Sequence, residues 1–149
     1  MRISTRGRYA LRALVDLAQH ADEGPVSRQA IAARQEISTA YVAQLFRRLR
    51  AAGLVDGVKG PGGGYVLARD AATIRAGDVV RAAEGPIAAV DCTIPGLAPT
   101  CDRVDCCVAH LLWRGLSDAM ETFLDSVTLA DLRDQARQLA LGEGREWEG

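Results

Sequence analysis

The chain has 149 residues, 48% of them hydrophobic, and a formal net charge of −1, which suits one domain with a single core. No stretch approaches the roughly 20 apolar residues of a membrane helix, and charges interrupt the first apolar segment, which excludes a membrane span and a secretory signal peptide. We therefore expect a cytoplasmic protein without a membrane partner, in which clustered cysteines bind metal or sense redox state more often than they form structural disulfides.

The charge is distributed unevenly along the chain. Residues 1–70 contain 11 Lys and Arg against 6 Asp and Glu, a net charge of +5, whereas residues 71–149 contain 7 against 13, a net charge of −6. A basic segment of this kind is typical of a surface that binds the phosphates of nucleic acid. We therefore expect the first half to bind DNA and the second half to have a different task.

The first third of the sequence predicts three helices. Apolar residues recur at helical spacing and predict a helix over residues 7–21. Ser27 caps a short helix of sequence RQAIAARQ, and Ser38 caps a longer helix that Gly53 ends. Two such helices joined by a tight turn are a helix-turn-helix, which places its second helix in the major groove of DNA.

A β-hairpin is predicted directly after these helices. The apolar runs 54–58 and 65–68 flank the sequence KGPGGG, which suits a flexible, cationic turn. Glycines let the backbone approach a surface, such as a phosphate backbone, that side chains would hold away. Such turns are common in ordinary hairpins, but after a helix-turn-helix the pattern favours a wing that contacts DNA.

The second half predicts a short helix over residues 74–84, a loop rich in Gly, Pro and Asp, and a long helix that starts at about Cys107. One stripe of the long helix carries six apolar residues, namely Trp113, Leu116, Met120, Phe123, Leu124 and Val127. Because a small winged domain offers little surface to cover this stripe, we expect a dimerisation helix, with ordinary core packing as the alternative. TLAD, from Thr128, resembles a capping box for a last helix to about Leu141.

These elements predict a mainly α fold with a small β-hairpin, that is, a winged helix-turn-helix followed by a long dimerisation helix. We divide the chain into residues 1–84 for DNA binding, 85–107 as a cysteine-rich loop, 108–141 for the dimerisation helix and the last helix, and 142–149 as a disordered tail. The sequence shows no nucleophile–base or acid–base pair, so we do not expect an enzyme.

Four cysteines and a histidine cluster in the second half, as Cys92, Cys101, Cys106, Cys107 and His110. Thiolates and imidazole are ligands for Zn²⁺ or an iron–sulfur cluster and poor ligands for Mg²⁺ or Ca²⁺. The spacing lacks the paired CxxC of common zinc sites, and its wide, irregular gaps suit a larger inorganic core. From the residues alone, a cluster, zinc, a thiol redox switch and unliganded cysteines all stay open.

Five stretches of the sequence together carry a resemblance to a known family. They are MRISTRGRYALRALVDLA, ISTAYVAQLFRRLRAAGLV, VKGPGGGYVL, CVAHLLWRGLSD and TLADL. They resemble the IscR branch of the iron–sulfur cluster regulator family of winged-helix transcription factors. The resemblance implies a homodimer that binds a 2Fe-2S cluster and controls genes for cluster assembly. Matched to this sequence, the implied cluster ligands are Cys92, Cys101, Cys107 and His110.

The cysteine pattern departs from the family in two ways. The gap between Cys92 and Cys101 is longer than in well-known members, and Cys106 is extra. Cys106 lies four residues before His110 and Cys107 three, so spacing alone cannot choose between them. We interpret Cys106 as an unliganded thiol near the site, with ligand exchange or a disulfide after cluster loss as alternatives. The alternative to the whole function is a zinc- or thiol-based winged-helix regulator without a cluster.

Base contacts are expected from the start of the second helix of the helix-turn-helix, from Ser38, Thr39, Tyr41 and Gln44. The resemblance supports Ser38, Tyr41 and Gln44 in this role. Ala43 stands where well-known members have a Glu, which implies that the choice of DNA sites depends less on the cluster.

Phosphate contacts are expected from basic side chains of the same region. We assign them to Arg28, Arg47 and Arg48, and we assign wing contacts to Lys59 and Gly60. Lys59 stands where close relatives have Arg, which weakens the expectation of bidentate readout by the wing.

Overall fold

The structure is a computed structural model that describes residues 2–97 and 101–142. Most of the tail predicted to be disordered, 142–149, lies outside these ranges. The helices and strands of the described ranges, in chain order, are α1 (Thr5–Gln19), α2 (Arg28–Gln35), α3 (Thr39–Ala51), β1 (Val55–Val58), β2 (Gly64–Leu67), α4 (Ala76–Glu84), α5 (Val108–Ser126) and α6 (Leu129–Ala140). The two strands form one antiparallel hairpin. This mainly helical fold with a small hairpin confirms the predicted fold class.

Side-chain caps set the starts of the helices. Ser27 and Ser38 cap α2 and α3 as predicted, each accepting a hydrogen bond from the backbone N–H three residues later. The predicted capping box at Thr128 also forms. The predicted bounds of the first helix are two residues too late, because Ser4 caps α1 and the helix begins at Thr5.

One hydrophobic core contains side chains from the four helices α1, α2, α3 and α4, from the hairpin and from the start of α6. Its largest fully buried side chains include Leu14, Leu17, Ile31, Leu45, Phe46, Leu49, Leu54, Ile74 and Leu129. Phe46 of α3 stacks on Tyr65 of β2 with ring centroids 4.2 Å apart, which fixes the hairpin against the helix. Because Leu129 is part of this core, α6 packs on the winged domain, whereas our division of the sequence grouped it with α5.

The hairpin is also tied to the start of α2. The backbone N–H and carbonyl of Val26 pair with those of Tyr65, at 2.9 and 2.8 Å. Gly64 lies so close to this bridge that a Cβ there would collide with the carbonyl of Val26, and its φ of 155° also disfavours other residues. The wing and the helix-turn-helix therefore form one unit.

Helix α5 leaves this unit and is anchored on α4. Arg81 donates to Glu121 at 2.9 Å and to Asp125 at 2.6 Å. Hydrogen bonding to Asp125 raises the pKa of Arg81 above its usual range, so the guanidinium stays charged. The stripe prediction is wrong for Val127, which is 4% exposed because the chain turns back at the end of α5 and the carbonyl of Val127 accepts the backbone N–H of Ala76.

No helix within the described ranges combines the length and the apolar character needed to cross a membrane. Helix α5 is the longest, with 19 residues, but acidic and basic side chains interrupt its apolar positions.

Candidate functional site

The first candidate site is the outer face of α3. The inner face of this helix is buried through Val42, Leu45, Phe46 and Leu49, which fixes the opposite face toward solvent. Ser38, Thr39, Gln44, Arg47 and Arg48 are all exposed on that side. The structure thus brings these five of the residues predicted for base and phosphate contact together on one accessible surface.

A cleft beside this face is formed with help from α1. Its lining includes Arg6, Tyr41, Gln44, Arg47 and Arg48. The ring of Tyr41 packs edge-to-face on Tyr9 of α1 with centroids 6.0 Å apart, so α1 holds it in place. Three guanidinium groups around one cleft form a site for an anion such as a phosphate.

Arg6 is a residue that the sequence analysis missed. Its Nε is buried and has no hydrogen-bond partner within the described part of the chain. A buried donor without a partner is costly. Arg6 also lines the cleft, where its guanidinium adds to the charge available to an anion. The sequence shows Arg6 only as one of several N-terminal arginines, since its place beside Arg47 depends on how α1 packs on α3.

A second cleft, of about 440 Å³, lies between the start of α2 and the hairpin. Its lining includes three basic side chains, Arg28, Arg50 and Lys59, and the glycines of the wing. Arg50 was also missed, although its position three residues after Arg47 on the same helix is a signal that the sequence offers. Both clefts take basic residues from α3, so the recognition helix and the wing share one positive surface.

The second candidate site lies at the start of α5. Cys92 sits in a short 3₁₀ turn, Asp91–Thr93, and its Sγ lies 3.3 Å from Nδ1 of His110. Cys107 precedes α5, and its carbonyl accepts the backbone N–H of His110 at 3.1 Å. Cys92, Cys107 and His110 are half-buried, which suits a site that is partly shielded from solvent.

The remaining cysteines are exposed and stand apart from this contact. Cys101 follows residues 98–100, which lie outside the described ranges, and the thiol of Cys106 points back to the carbonyl of Arg103 at 3.6 Å. Among the residues that the structure describes, no three His, Cys, Asp or Glu side chains converge as a metal site.

The donor set nevertheless fits an iron–sulfur cluster. All four cysteines are free thiols, and an imidazole lies against one of them. Soft thiolates with one imidazole are ligands of iron–sulfur clusters and of zinc. The chemistry of these residues therefore suits the cluster, while the structure brings one predicted pair, Cys92 and His110, into contact.

The helix-turn-helix, the wing and their shared positive surface define a winged-helix DNA-binding protein. The family model of Rrf2, described as an iron-dependent transcriptional regulator, matches residues 3–135, and the chain belongs to this family.

Individual relatives agree with this assignment. The HTH-type transcriptional regulator IscR of Escherichia coli (strain K12 / DH10B) is 45% identical over 132 residues, which are 89% of this chain and 80% of that protein. The structure of T. potens IscR is 38% identical, with a TM-score of 0.75, and the match covers 100% of this chain and 94% of that one. CymR, the global cysteine regulator of B. subtilis, is 39% identical with a TM-score of 0.73, covering 90% of this chain and 97% of that one.

The relatives confirm two predictions about the class of protein. They are named as transcriptional regulators, so this chain is a DNA-binding transcriptional regulator and is not an enzyme.

Proposed function

We propose that this Rrf2-family regulator reports the supply of iron–sulfur clusters through a bound 2Fe-2S cluster and controls genes for cluster assembly. The proposed ligands are Cys92, Cys101, Cys107 and His110. The proposal depends on one contact: Cys92 Sγ lies 3.3 Å from His110 Nδ1. These two proposed ligand atoms come from residues 18 positions apart in the sequence. We place its action in the cytoplasm, where thiols stay reduced and available as ligands.

The ligand set suits a sensor. A cluster with one neutral imidazole among three thiolates carries less negative charge than an all-cysteine cluster, which raises its reduction potential. His110 binds metal only as the neutral imidazole, so protons compete for this ligand. The exposed Cys101 lets solvent and competing thiols reach the site. A site of this kind loads and empties with cluster supply.

A route from the ligands to the DNA-binding unit runs through α5. His110 lies in the first turn of α5, and the far end of the same helix is held by Arg81 of α4. Helix α4 in turn packs on α1 and α3. We propose that gathering the loop cysteines onto α5 biases the angle at which the two recognition helices of a dimer are presented.

For DNA recognition, we propose that base edges are read by Ser38, Thr39, Tyr41 and Gln44. Phosphates are bound by Arg28, Arg47 and Arg48, and the wing contributes Lys59 and Gly60. The structure adds two candidates for phosphate contact, Arg6 in the cleft beside α3 and Arg50 in the cleft beside the wing.

We propose that the functional unit is a homodimer formed through α5. Ser117 is the one residue of this helix that is buried in its own chain. Exposed apolar side chains follow the helix as Val108 (82%), Leu111 (62%), Leu112 (63%), Trp113 (38%) and Phe123 (46%). A second copy would cover these side chains and would present two recognition helices to one operator.

Metal analysis tests the cluster directly. We expect anaerobically purified protein to be coloured and to contain about two iron and two sulfide per chain, with little zinc. Its visible absorption should vanish when the cluster is lost in air. If the protein is colourless and contains about one zinc per chain, the cluster proposal is wrong and the cysteines form a zinc site.

A thiol-based regulator is the second candidate function. The likeness to CymR, named as a global cysteine regulator, and the exposed thiols of Cys101 and Cys106 favour it. Protein without iron, sulfide or zinc whose DNA affinity changes on oxidation of these thiols would support this function and would contradict the cluster.

A further inference from the structure

Ser117 is a buried polar residue in a helix that is otherwise mostly exposed. Its side chain belongs to a residue only 5% exposed, and a buried hydroxyl needs hydrogen-bond partners. Its Oγ lies 2.9 Å from the carbonyl oxygen of Trp113, within the same helix. It also accepts the backbone N–H of Ala89 at 2.9 Å and lies 3.0 Å from Oγ1 of Thr93.

The two outside partners flank Cys92. Ala89 lies three residues before Cys92, and Thr93 is the next residue after it. Thr93 closes the turn locally, because its N–H donates to the carbonyl of Val90 at 3.0 Å and its hydroxyl lies 2.7 Å from the same oxygen. One hydroxyl of α5 thus holds both sides of the turn that carries the thiol.

The protons of this group form a connected chain. Ser117 and Thr93 have one hydroxyl proton each. Their hydroxyls make three short contacts: one to each other, one from Ser117 to the carbonyl of Trp113 and one from Thr93 to the carbonyl of Val90. Whichever hydroxyl donates across the 3.0 Å contact, the other donates to a carbonyl. Removal of the Ser117 hydroxyl therefore breaks both links between the turn and the helix, whereas removal of the Thr93 hydroxyl breaks one and leaves the bond from Ala89.

Helix geometry explains why this link brings Cys92 to His110. Ser117 follows His110 by seven residues, which is nearly two turns, so both residues lie on the same face of α5. A turn fastened at Ser117 therefore lies along the face that presents the imidazole. The observed distance of 3.3 Å between Cys92 Sγ and His110 Nδ1 is the result.

We propose that Ser117 is a positioning residue that sets Cys92 against His110 before any cluster is bound. This inference rests on the proposed function, since it gives the order in which that site assembles. Two ligands are already in place, and cluster binding then has to gather Cys101 and Cys107. Because the turn is already ordered before the cluster binds, cluster binding does not have to offset the conformational entropy that ordering the turn would cost. Loss of the cluster leaves the same pair ready for reloading.

Thiol alkylation of the cluster-free, reduced protein tests the positioning. In Ser117→Ala, we expect the rate of alkylation of Cys92 by iodoacetamide, followed by mass spectrometry, to rise about fivefold. Thr93→Val keeps the bond from Ala89 to Ser117 and should give a smaller rise. Cys106 is exposed in the same molecule and serves as the internal reference. Ser117→Thr keeps a hydroxyl and should restore slow alkylation of Cys92.

Ser126→Ala is the matched control. Ser126 lies on the same helix, and its hydroxyl donates to the carbonyl of Phe123 at 2.6 Å, within α5. Its loss should leave the alkylation of Cys92 at the wild-type rate. A wild-type rate in folded Ser117→Ala protein, or equal acceleration at Cys92 and Cys106, would overturn the proposal.

Cluster release provides an independent measurement. After anaerobic reconstitution, Ser117→Ala should lose visible absorption to an iron chelator several times faster than Ser126→Ala. Equal release rates would overturn the role of Ser117 in site assembly. If the wild-type protein takes up no iron and sulfide, the proposed function fails, while the alkylation of Cys92 still decides whether Ser117 positions it.

Discussion

The carboxylate of Asp125, near the end of α5, accepts a hydrogen bond from Arg81 of α4 at 2.6 Å. Its other oxygen, Oδ1, is buried without a hydrogen-bond partner in the part of the chain that the structure describes, and it lies over Gly77. Arg75 also donates to the backbone carbonyl of Asp125, at 2.7 Å. Asp125 therefore packs the end of α5 closely on α4, and a Cβ at Gly77 would displace its carboxylate.

The first prediction concerns the packing of Asp125 against Gly77. In Gly77→Ala the new Cβ collides with the carboxylate of Asp125, so we expect the free energy of unfolding to fall by about 1–3 kcal/mol. Asp125→Ala in the same chain should recover part of this loss, as measured by a double-mutant cycle in urea. Gly115→Ala is the control, because a Cβ at Gly115 meets no atom within 4 Å and alanine favours the helix. Equal destabilisation by Gly77→Ala and Gly115→Ala would contradict the close packing of Asp125 against Gly77.

Local signals in the sequence predicted much of the fold. Ser27, Ser38 and Thr128 mark helix starts because a capping hydroxyl acts within three residues, and the Gly-rich turn marks the hairpin for a similar reason. The apolar stripe of α5 was a less reliable guide to which residues are exposed. Helical periodicity shows that Val127 lies on an apolar face but does not show whether its own domain or a partner covers that face.

The remaining features depend on contacts between distant residues. The hydroxyl of Ser117 meets the backbone of Ala89, 28 residues away, and the carboxylate of Glu84 accepts from the backbone N–H of Ser4 at 2.6 Å, across 80 residues. No spacing rule for helices or turns reaches that far. Arg6 was missed as a candidate DNA contact for the same reason, since its cleft exists only after α1 packs beside α3.

The second prediction separates the neighbouring thiols Cys106 and Cys107. We expect Cys107→Ala to abolish stable cluster binding, as should Cys101→Ala and His110→Ala, because each removes a ligand. Cys106→Ala should keep the wild-type visible spectrum, since the thiol of Cys106 points to the carbonyl of Arg103. Anaerobic reconstitution with iron and sulfide provides the measurement. A normal spectrum for Cys107→Ala together with its loss in Cys106→Ala would reverse the assignment.

The third prediction separates phosphate contact from base readout. Arg47→Ala and Arg6→Ala should each flatten the slope of log K against log salt by about 0.9, on every DNA sequence alike. Gln44→Ala should relax base preference and leave the slope nearly unchanged. Arg133→Ala is the control, because Arg133 lies on α6 and pairs with its neighbour Asp134. A wild-type slope for Arg6→Ala would remove that residue from the interface.

The last prediction concerns the dimer. Leu124 lines a cleft of its own domain together with Ile3 and Val80, so its truncation would disturb the monomer as well. Leu111 and Leu112 are better probes, since they are 62% and 63% exposed and contribute little to the fold of their own chain. Burial by a second copy would be worth about 1.5–3 kcal/mol for each side chain.

Replacing both residues by alanine should therefore raise the dimer dissociation constant at least about 100-fold and weaken operator binding, with unfolding of the monomer nearly unchanged. Leu139→Ala is the matched control, since Leu139 is 64% exposed but lies on α6, which packs on the winged domain. Analytical ultracentrifugation at micromolar concentration distinguishes the two variants. Two-fold symmetry requires both copies to lose the same contacts, so a pair held by α5 should dissociate sharply. If only Leu139→Ala dissociates the dimer, the interface lies on α6 and not along α5.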